Sequence, residues 1–340
     1  MNPNKNSIDP IICKELIHKL CEKLTNYYIF PDIAKKLCII LRKNLEAGEY
    51  DDISEGEFLA LALTTHMQEV SQDKHLWVRW HEEFLPEDHG TSLLQNPIKV
   101  EELKAGAKLK NFGIFKVERL PGNVGYIDIR YFYRTSWGSG ETITAAMHLL
   151  ANTQAVIIDL RKCGGGNPGA VLLVSSYFFQ GEPIHLNSLY WREGEVTEQY
   201  WTLPHVPGVR MHDQPVYILT GKKTFSAGEE FAYNFQALER ATLIGETTLG
   251  GAHPGSPYRL QAHFEVFIPN GRAINPITGG NWEGTGVQPD IPLPEEDALD
   301  KAYQMALETV IKSLQHAASI PEKKLLEEAR DALKRMDTKE

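Results

Sequence analysis

The stretch Pro215–Glu246, "PVYILTGKKTFSAGEEFAYNFQALERATLIGE", holds a whole strand–helix–strand unit. "PVYILT" is a short apolar run of the kind a buried strand needs, and "ATLIGE" returns to the same pattern. Between them "EEFAYNFQALERA" carries apolar residues at helical spacing. A strand, a crossover helix and a second strand make a βαβ unit, which argues an α/β layer. Ser226 stands at the junction of strand and helix. Ser226 and Glu229 fit the S-x-x-E capping box, in which the hydroxyl satisfies a free N–H at the helix start. The same place suits a nucleophile on a sharp turn, with a helix N-terminus aimed at developing negative charge. Taken alone, the stretch favours the cap, which is common and needs no partners.

The alternation continues on the N-terminal side. "VGYIDIRYF" reads as a strand, "ETITAAMHLLAN" as a helix, "AVIIDL" as a strand and "PGAVLLVSSYFF" as a helix. Further back, from about Asp9 to Val70, the pattern is helical only. "ICKELIHKLCEKL" and "DIAKKLCIILRKNL" are separated by Pro31, and "SEGEFLALALTTHMQEV" follows a capping-type serine, Ser54. In "DKHLWVRWHEEF", Leu76, Val78 and Trp80 alternate with Trp77 and Arg79, as in a half-buried strand. From there to about Asn111 the chain reads as loop. Beyond Pro294 it is helical again, and Leu325, Leu326, Ala329, Leu333 and Met336 fall on one stripe. That stripe suits packing on the core or on a partner chain, or the helix is a solvated, charged one. The division expected is a helical N-terminal domain over 1–70, an α/β core over 71–295 and a helical extension over 296–340.

Bulk properties exclude several classes. With 340 residues, 42% apolar and 24% charged, the chain has the composition of an ordinary globular protein. Its net charge of −10 is spread along the chain, which argues against a nucleic-acid partner. No transmembrane span or secretory signal is legible, so the expected location is cytoplasmic, with export open for a trimmed chain. Cys13, Cys21, Cys38 and Cys163 lack zinc-type spacing and read as buried free thiols of a reducing compartment.

Several segments carry polar groups that suit chemistry. Gly164, Gly166 and Gly169 in "AVIIDLRKCGGGNPG" form a G-x-G-x-x-G, but Glu193 in "HLNSLYWREGE" is a poor match for the acid a dinucleotide site requires. The glycines also suit a flexible turn ended by Pro168 at a helix start. A third reading has them bring backbone N–H groups close to a reacting carbonyl. Among twelve histidines, His75 opens a strand after the polar turn "SQDK", and His253 lies in the glycine-flanked "LGGAHPGSP". His66 falls on a helical pattern and reads as a packing or surface residue. Glu283, in "GGNWEGTGVQPDI", sits between Trp282 and a Gly-Thr-Gly turn, where an exposed loop acid is the plainer reading.

Together these blocks resemble the C-terminal processing (tail-specific) protease superfamily over roughly residues 72–295. The resemblance rests on "TFSAGEEFAYNFQALERATLIGETTLGGAHP", "VGYIDIRYF", "IIDLRKCGGGNPGA" and "NWEGTGVQPDI", in the expected order. "LTNYYIFPDIAKKL" resembles the helical N-terminal domain of interphotoreceptor retinoid-binding protein modules and their bacterial relatives. The implied fold is a crotonase-like α/β core with a helical N-terminal domain and C-terminal helices. Tail-specific proteases pair their serine with a lysine 25 positions later; here Gly251 holds that position, within "TLGGA". The tricorn-type branch uses instead an upstream histidine and a downstream glutamate, places that His75 and Glu283 match. Lys74 stands where that branch has a further serine, and the chain leaves no room for a PDZ insert.

The resemblance therefore implies a serine-type peptidase without cofactor or metal, acting on peptides or unfolded protein. Ser226 would be the nucleophile, His75 its base and Glu283 the group that orients the base. The N–H of Ala227 with that of Gly165 or Gly166 would form the oxyanion hole, and His253 and Gly251 would line the site, His253 as the competing base. The opposing reading is a non-catalytic binding protein for an apolar, retinoid- or fatty-acid-like ligand on the same fold. The aromatic-rich "YFYRTSW" and "SLYWREGE" would line an apolar pocket or a peptide subsite, or pack in the core. Retention of serine, histidine and glutamate together favours the enzyme.

Overall fold

A computed structural model describes residues 10–87 and 97–337. Asp9, where the sequence reading starts its first helix, lies outside the described residues. In chain order the elements are α1 (Pro10–Tyr27), α2 (Pro31–Glu46), α3 (Gly56–Ser71), β1 (Trp77–Trp80), α4 (Pro97–Leu109), β2 (Ile114–Leu120) and β3 (Val124–Ile129). Then come α5 (Ser139–Leu150), β4 (Ala155–Asp159), α6 (Pro168–Ser176), β5 (His185–Trp191), β6 (Val196–Trp201) and β7 (Val216–Thr220). The rest are α7 (Ala227–Ala237), β8 (Thr242–Gly245), β9 (Gly255–Gln261), β10 (Phe264–Pro269), β11 (Gly271–Ile274), β12 (Ile291–Pro292), α8 (Ala298–Ser313) and α9 (Ile320–Asp337). The chain divides into two compact units.

The first unit holds the described residues up to Glu102, with Leu189–Glu198 and His253–Ala273. Leu16, Leu20 and Leu24 of α1, Leu37 and Leu41 of α2, and Leu59, Leu63 and Met67 of α3 share one core. Pro31 opens α2 at its first turn, where the missing N–H costs nothing. Ser54 is not the cap of α3. Glu55 holds that place without a side-chain bond. α3 ends at Gln72 in the left-handed conformation (φ 57°), which turns the chain toward β1. The expected strand at 76–80 forms and pairs antiparallel with β10, Val78 opposite Val266. β10 pairs in turn with β9, and Tyr258, Leu260, Phe264, Val266 and Ile268 join the helical core.

The second unit holds Leu103–Ser188, Gln199–Ala252 and the residues from Ile274 onward. Its sheet has the strand order β12-β8-β7-β4-β3-β2. The pairs β3–β4, β4–β7, β7–β8 and β8–β12 are parallel, and β2–β3 is antiparallel. The unit β7–α7–β8 is thus the parallel βαβ crossover read from Pro215–Glu246. All residues of β3, β4 and β7 are buried, as parallel strands between two layers must be. Over one face, Ala298, Ala302 and Ala306 of α8 pack with Val124, Tyr126, Ile157 and Tyr217. Alanine at every fourth position gives α8 a smooth face and a close approach. A further three-stranded sheet has the order β11-β5-β6.

Two sequence readings need comment. The stretch read as loop before Asn111 contains the 13-residue helix α4, of which only Ala107 is buried. Ile98, Leu103 and Leu109 are exposed, so no inward apolar stripe announces this helix. The C-terminal stripe packs on its own core: Leu326 and Ala329 are buried, with Leu333 and Met336 half-buried against the same cluster. An exposed bidentate pair, Arg119 with Glu328 at 2.8 and 2.9 Å, sits beside it. Ala329→Arg is therefore expected to undock α9 and lower the melting temperature by several degrees. Glu328→Gln, which breaks only a solvated pair, should cost at most about 1 kcal/mol. Thermal denaturation of both variants checks the ranking.

Candidate active site

Ser226 ends the turn between β7 and α7, half-buried at the helix N-terminus with φ 53° and ψ −118°. A positive φ is strained for a residue with a Cβ, and such residues persist only where neighbours over-determine them. Here the neighbours are identifiable. Phe225 N–H donates to Cys163 O (2.9 Å), Thr224 Oγ1 to Leu160 O (2.8 Å), and Ser226 N–H to Glu229 Oε2 (2.8 Å). The last bond is the glutamate half of the capping box.

The glycine turn lies directly against this serine. Gly165 and Gly166 have φ of 106° and 137°, conformations that side chains rarely adopt. A Cβ on Gly165 would come within 2.8 Å of Ser226 Cβ and 3.4 Å of Ala227 N. A Cβ on Gly166 would strike Phe132 O. The Gly164 N–H donates to Arg130 O (3.0 Å), and Gly165 O accepts from Phe132 N–H (2.8 Å). Asn167 caps α6 by accepting from Gly169 N–H (3.1 Å), with Pro168 in the first helical turn. The helix-start reading of "GGGNPG" is therefore realised, and the same segment packs against Ser226.

Glu229 does more than complete a capping box. It is fully buried, and its two carboxylate oxygens accept four hydrogen bonds. Oε1 takes the Thr248 hydroxyl (2.5 Å) and Gly250 N–H (2.6 Å), while Oε2 takes Ser226 N–H and Gly251 N–H (2.9 Å). Burial pushes its carboxyl above the usual range, and these donors oppose the shift. Its neighbour Glu230 is buried too, pushed up to about 7 by burial.

Glu283 is fixed to the same loop. Its Oε2 accepts from Ala252 N–H (2.5 Å), and the adjacent Trp282 Nε1–H donates to Gly251 O (2.8 Å). Gly251, at the position of the absent lysine, thus has both its N–H and its carbonyl engaged. Sequence reading found Ser226, Gly251 and Glu283 separately; Glu229 is the group that joins their loops.

His75 and His253 belong to the first unit and share one acid there, Asp73. Its Oδ2 lies 2.9 Å from His253 Nδ1 and accepts from Tyr28 OH (3.1 Å), while Oδ1 accepts from the backbone N–H of His75 (3.0 Å). Burial pushes His75 down to about 4, with His253 adding to the shift and Asp73 opposing it. The ring is therefore neutral at pH 7. Asp73 was missed in the sequence, where the only sign was an acid two places before a candidate histidine.

Comparison with known proteins adds the following. Residues 123–293 match the model of peptidase family S41, and residues 12–118 match the N-terminal domain of peptidase S41 in eukaryotic IRBP. The chain is 28% identical over 224 residues to the tricorn protease of Thermoplasma volcanium, covering 62% of this chain and 19% of that protein. It is 26% identical over 220 residues to the tail-specific protease of Haemophilus influenzae, covering 60% of this chain and 28% of that one. The chain thus spans under a third of either relative's length. A lipoprotein from Streptococcus agalactiae has a similar fold, with a TM-score of 0.54 and 14% identity over 87% of this chain and 96% of that one. Among the described residues no helix is long and apolar enough to cross a membrane.

The glycine turn yields a paired prediction. Gly165→Ala should destabilise the protein by roughly 1–3 kcal/mol, through the positive φ and the methyl forced onto Ser226. Gly164→Ala, whose added Cβ would meet nothing within 4 Å, should be tolerated. Equal effects in denaturant melts would count against the close approach.

Proposed function

We propose a hydrolytic mechanism from one premise: this chain belongs to peptidase family S41. The reading is a serine endopeptidase that cleaves peptides or unfolded protein segments. Ser226 Oγ attacks the scissile carbonyl carbon while His75 accepts the hydroxyl proton, giving a tetrahedral oxyanion. His75 then hands that proton to the leaving amine, the C–N bond breaks, and an acyl-enzyme remains. Water, deprotonated by the same ring, releases the acid product and restores Ser226. Glu283 orients the ring and stabilises its charged form.

The observation that carries this reading is the strained Ser226 at the N-terminus of α7 with Gly165 packed against it. A nucleophile needs such a turn, whereas a plain cap normally takes extended backbone. For the oxyanion hole the proposed donors are Ala227 N–H and one from Gly165 or Gly166. Gly164 is already committed to Arg130 O. His253, already held by Asp73, supports the site in this scheme rather than acting as the base.

The match to the IRBP N-terminal domain favours a second reading, a binding protein for an apolar ligand. A fluorophosphonate probe separates the two, because only an activated serine reacts. Labelling at Ser226 is expected. Ser226→Ala and His75→Ala should each lower peptide hydrolysis on the order of 10³-fold or more, and the double variant little further. Undiminished hydrolysis in Ser226→Ala would return that serine to a capping role.

The depressed His75 also sets a pH dependence. Only the neutral ring can accept a proton, so kcat/KM should fall as the pH drops through about 4, below the ordinary histidine value of 6.5. Linkage gives stability the same sign. The unfolded chain binds the proton first, so the fold loses stability as pH falls from about 6.5 to about 4. A pH–rate profile with its acid limb at 6.5 would remove His75 from the base role.

A further inference from the structure

The four cysteines are free and buried, but they are not alike. Burial pushes Cys13 up to about 11 and Cys163 up to about 12, so both stay protonated and inert. Cys21 and Cys38 are arranged differently. A three-residue connection, Tyr28–Phe30, makes α1 and α2 antiparallel neighbours, and each cysteine lies about two turns from it. The two side chains therefore meet at one level of the helix pair. The Cys38 thiol donates to Cys21 O (3.4 Å) and the Cys21 thiol to Cys38 O (3.9 Å), so each sulfur lies against the other residue. Thr25 Oγ1 is 3.7 Å from Cys38 Sγ.

We propose that Cys21 and Cys38 are an oxidisable dithiol that closes into a disulfide between α1 and α2. The contact with Cys21 holds Cys38 down to about 6, helped by Thr25 and by the Arg42 guanidinium, while the same contact and burial push Cys21 up. Cys38 is thus the more readily ionised of the two thiols and the nucleophile. A groove of about 770 Å³ lies one helical turn away, lined by Ile17, His18, Leu45 and the same Arg42.

The oxidant is a hydroperoxide. Cys38 thiolate attacks a peroxide oxygen, the O–O bond breaks, and a sulfenic acid forms as hydroxide or an alkoxide leaves and takes a proton from solvent. Cys21 sulfur then attacks Cys38 sulfur, the S–O bond breaks, and the departing hydroxide leaves as water with the Cys21 proton. Two thiols lose two electrons and one peroxide gains them. The link spans 17 residues and ties the first two helices of the N-terminal core together. A thiol reductant reverses it.

The test treats the native full chain with hydrogen peroxide, alkylates the remaining thiols and maps the peptides by mass. Two of the four cysteines should escape alkylation, and a Cys21–Cys38 peptide should appear, lighter than its parts by two hydrogens and lost on adding dithiothreitol. Cys38→Ser should keep its other thiols free, and Cys13→Ser should still form the link. Four alkylated thiols after oxidation would overturn the proposal. So would a link through Cys13 or Cys163, or a Cys38 sulfinic acid without any link. Should Cys38→Ser fail to fold, the wild-type map decides alone.

Discussion

One buried carboxylate holds the serine turn and the 248–251 loop of the second unit in register. Glu229 has no contact with solvent, and isolating a carboxylate from water is costly unless donors replace the solvent. Four donors do so, and three of them are backbone N–H groups from Ser226, Gly250 and Gly251. The fourth, the Thr248 hydroxyl, itself accepts from Val287 N–H at 2.7 Å. Any movement of the serine turn away from the 248–251 loop would leave a buried charge short of a partner. The penalty for that is larger than the gain from any one of the bonds, so the two loops behave as one piece.

This constraint explains the glycines on both sides of it. Gly250 has φ 89°, and a Cβ there would lie 2.9 Å from Gly286 N. Gly165 and Gly228 leave room on the other side, the first against Ser226 and the second against Cys163, whose sulfur a Cβ on Gly228 would approach to 3.0 Å. The strain at Ser226 is local, amounting to roughly 1–3 kcal/mol by the usual scale. It is offset by the bonds that fix the turn on both sides, Phe225 N–H on Cys163 O, Thr224 Oγ1 on Leu160 O and Ser226 N–H on Glu229.

Much of the fold was legible because its periodicities are strong. The βαβ unit, the three N-terminal helices and the C-terminal stripe all bury a regular face, and that regularity is what a sequence displays. The helix α4 buries only Ala107, so its pattern carried no signal. Ser54 looked like a cap because residue type alone cannot say where a helix begins within a residue. At the site, Ser226, Gly165 and Glu283 stand out by type and setting, and the family resemblance gave them roles. Glu229 could be read only as the partner of Ser226 three places away. Its other contacts lie 19 to 22 residues on, beyond any local pattern. Asp73 was hidden for the same reason, being 180 residues from His253.

Gly251 gives the arrangement its chemical consequence. A lysine can serve as a base only when burial or a neighbouring charge strips its proton. At residue 251 the side chain is gone and the backbone is put to use instead, its N–H on Glu229 and its carbonyl on Trp282. Through those two bonds residue 251 ties the Trp282–Glu283 turn to Glu229. A neutral imidazole needs no such stripping, and His75 is neutral over the whole physiological range because burial disfavours its charged form. What the imidazole does need is an anion once it has taken a proton. In the mechanism proposed above that anion is Glu283, which is registered through Ala252 to the loop that Glu229 ties to the serine turn. Under that proposal the missing lysine and the fixed Glu283 are two sides of one change in how the proton is handled.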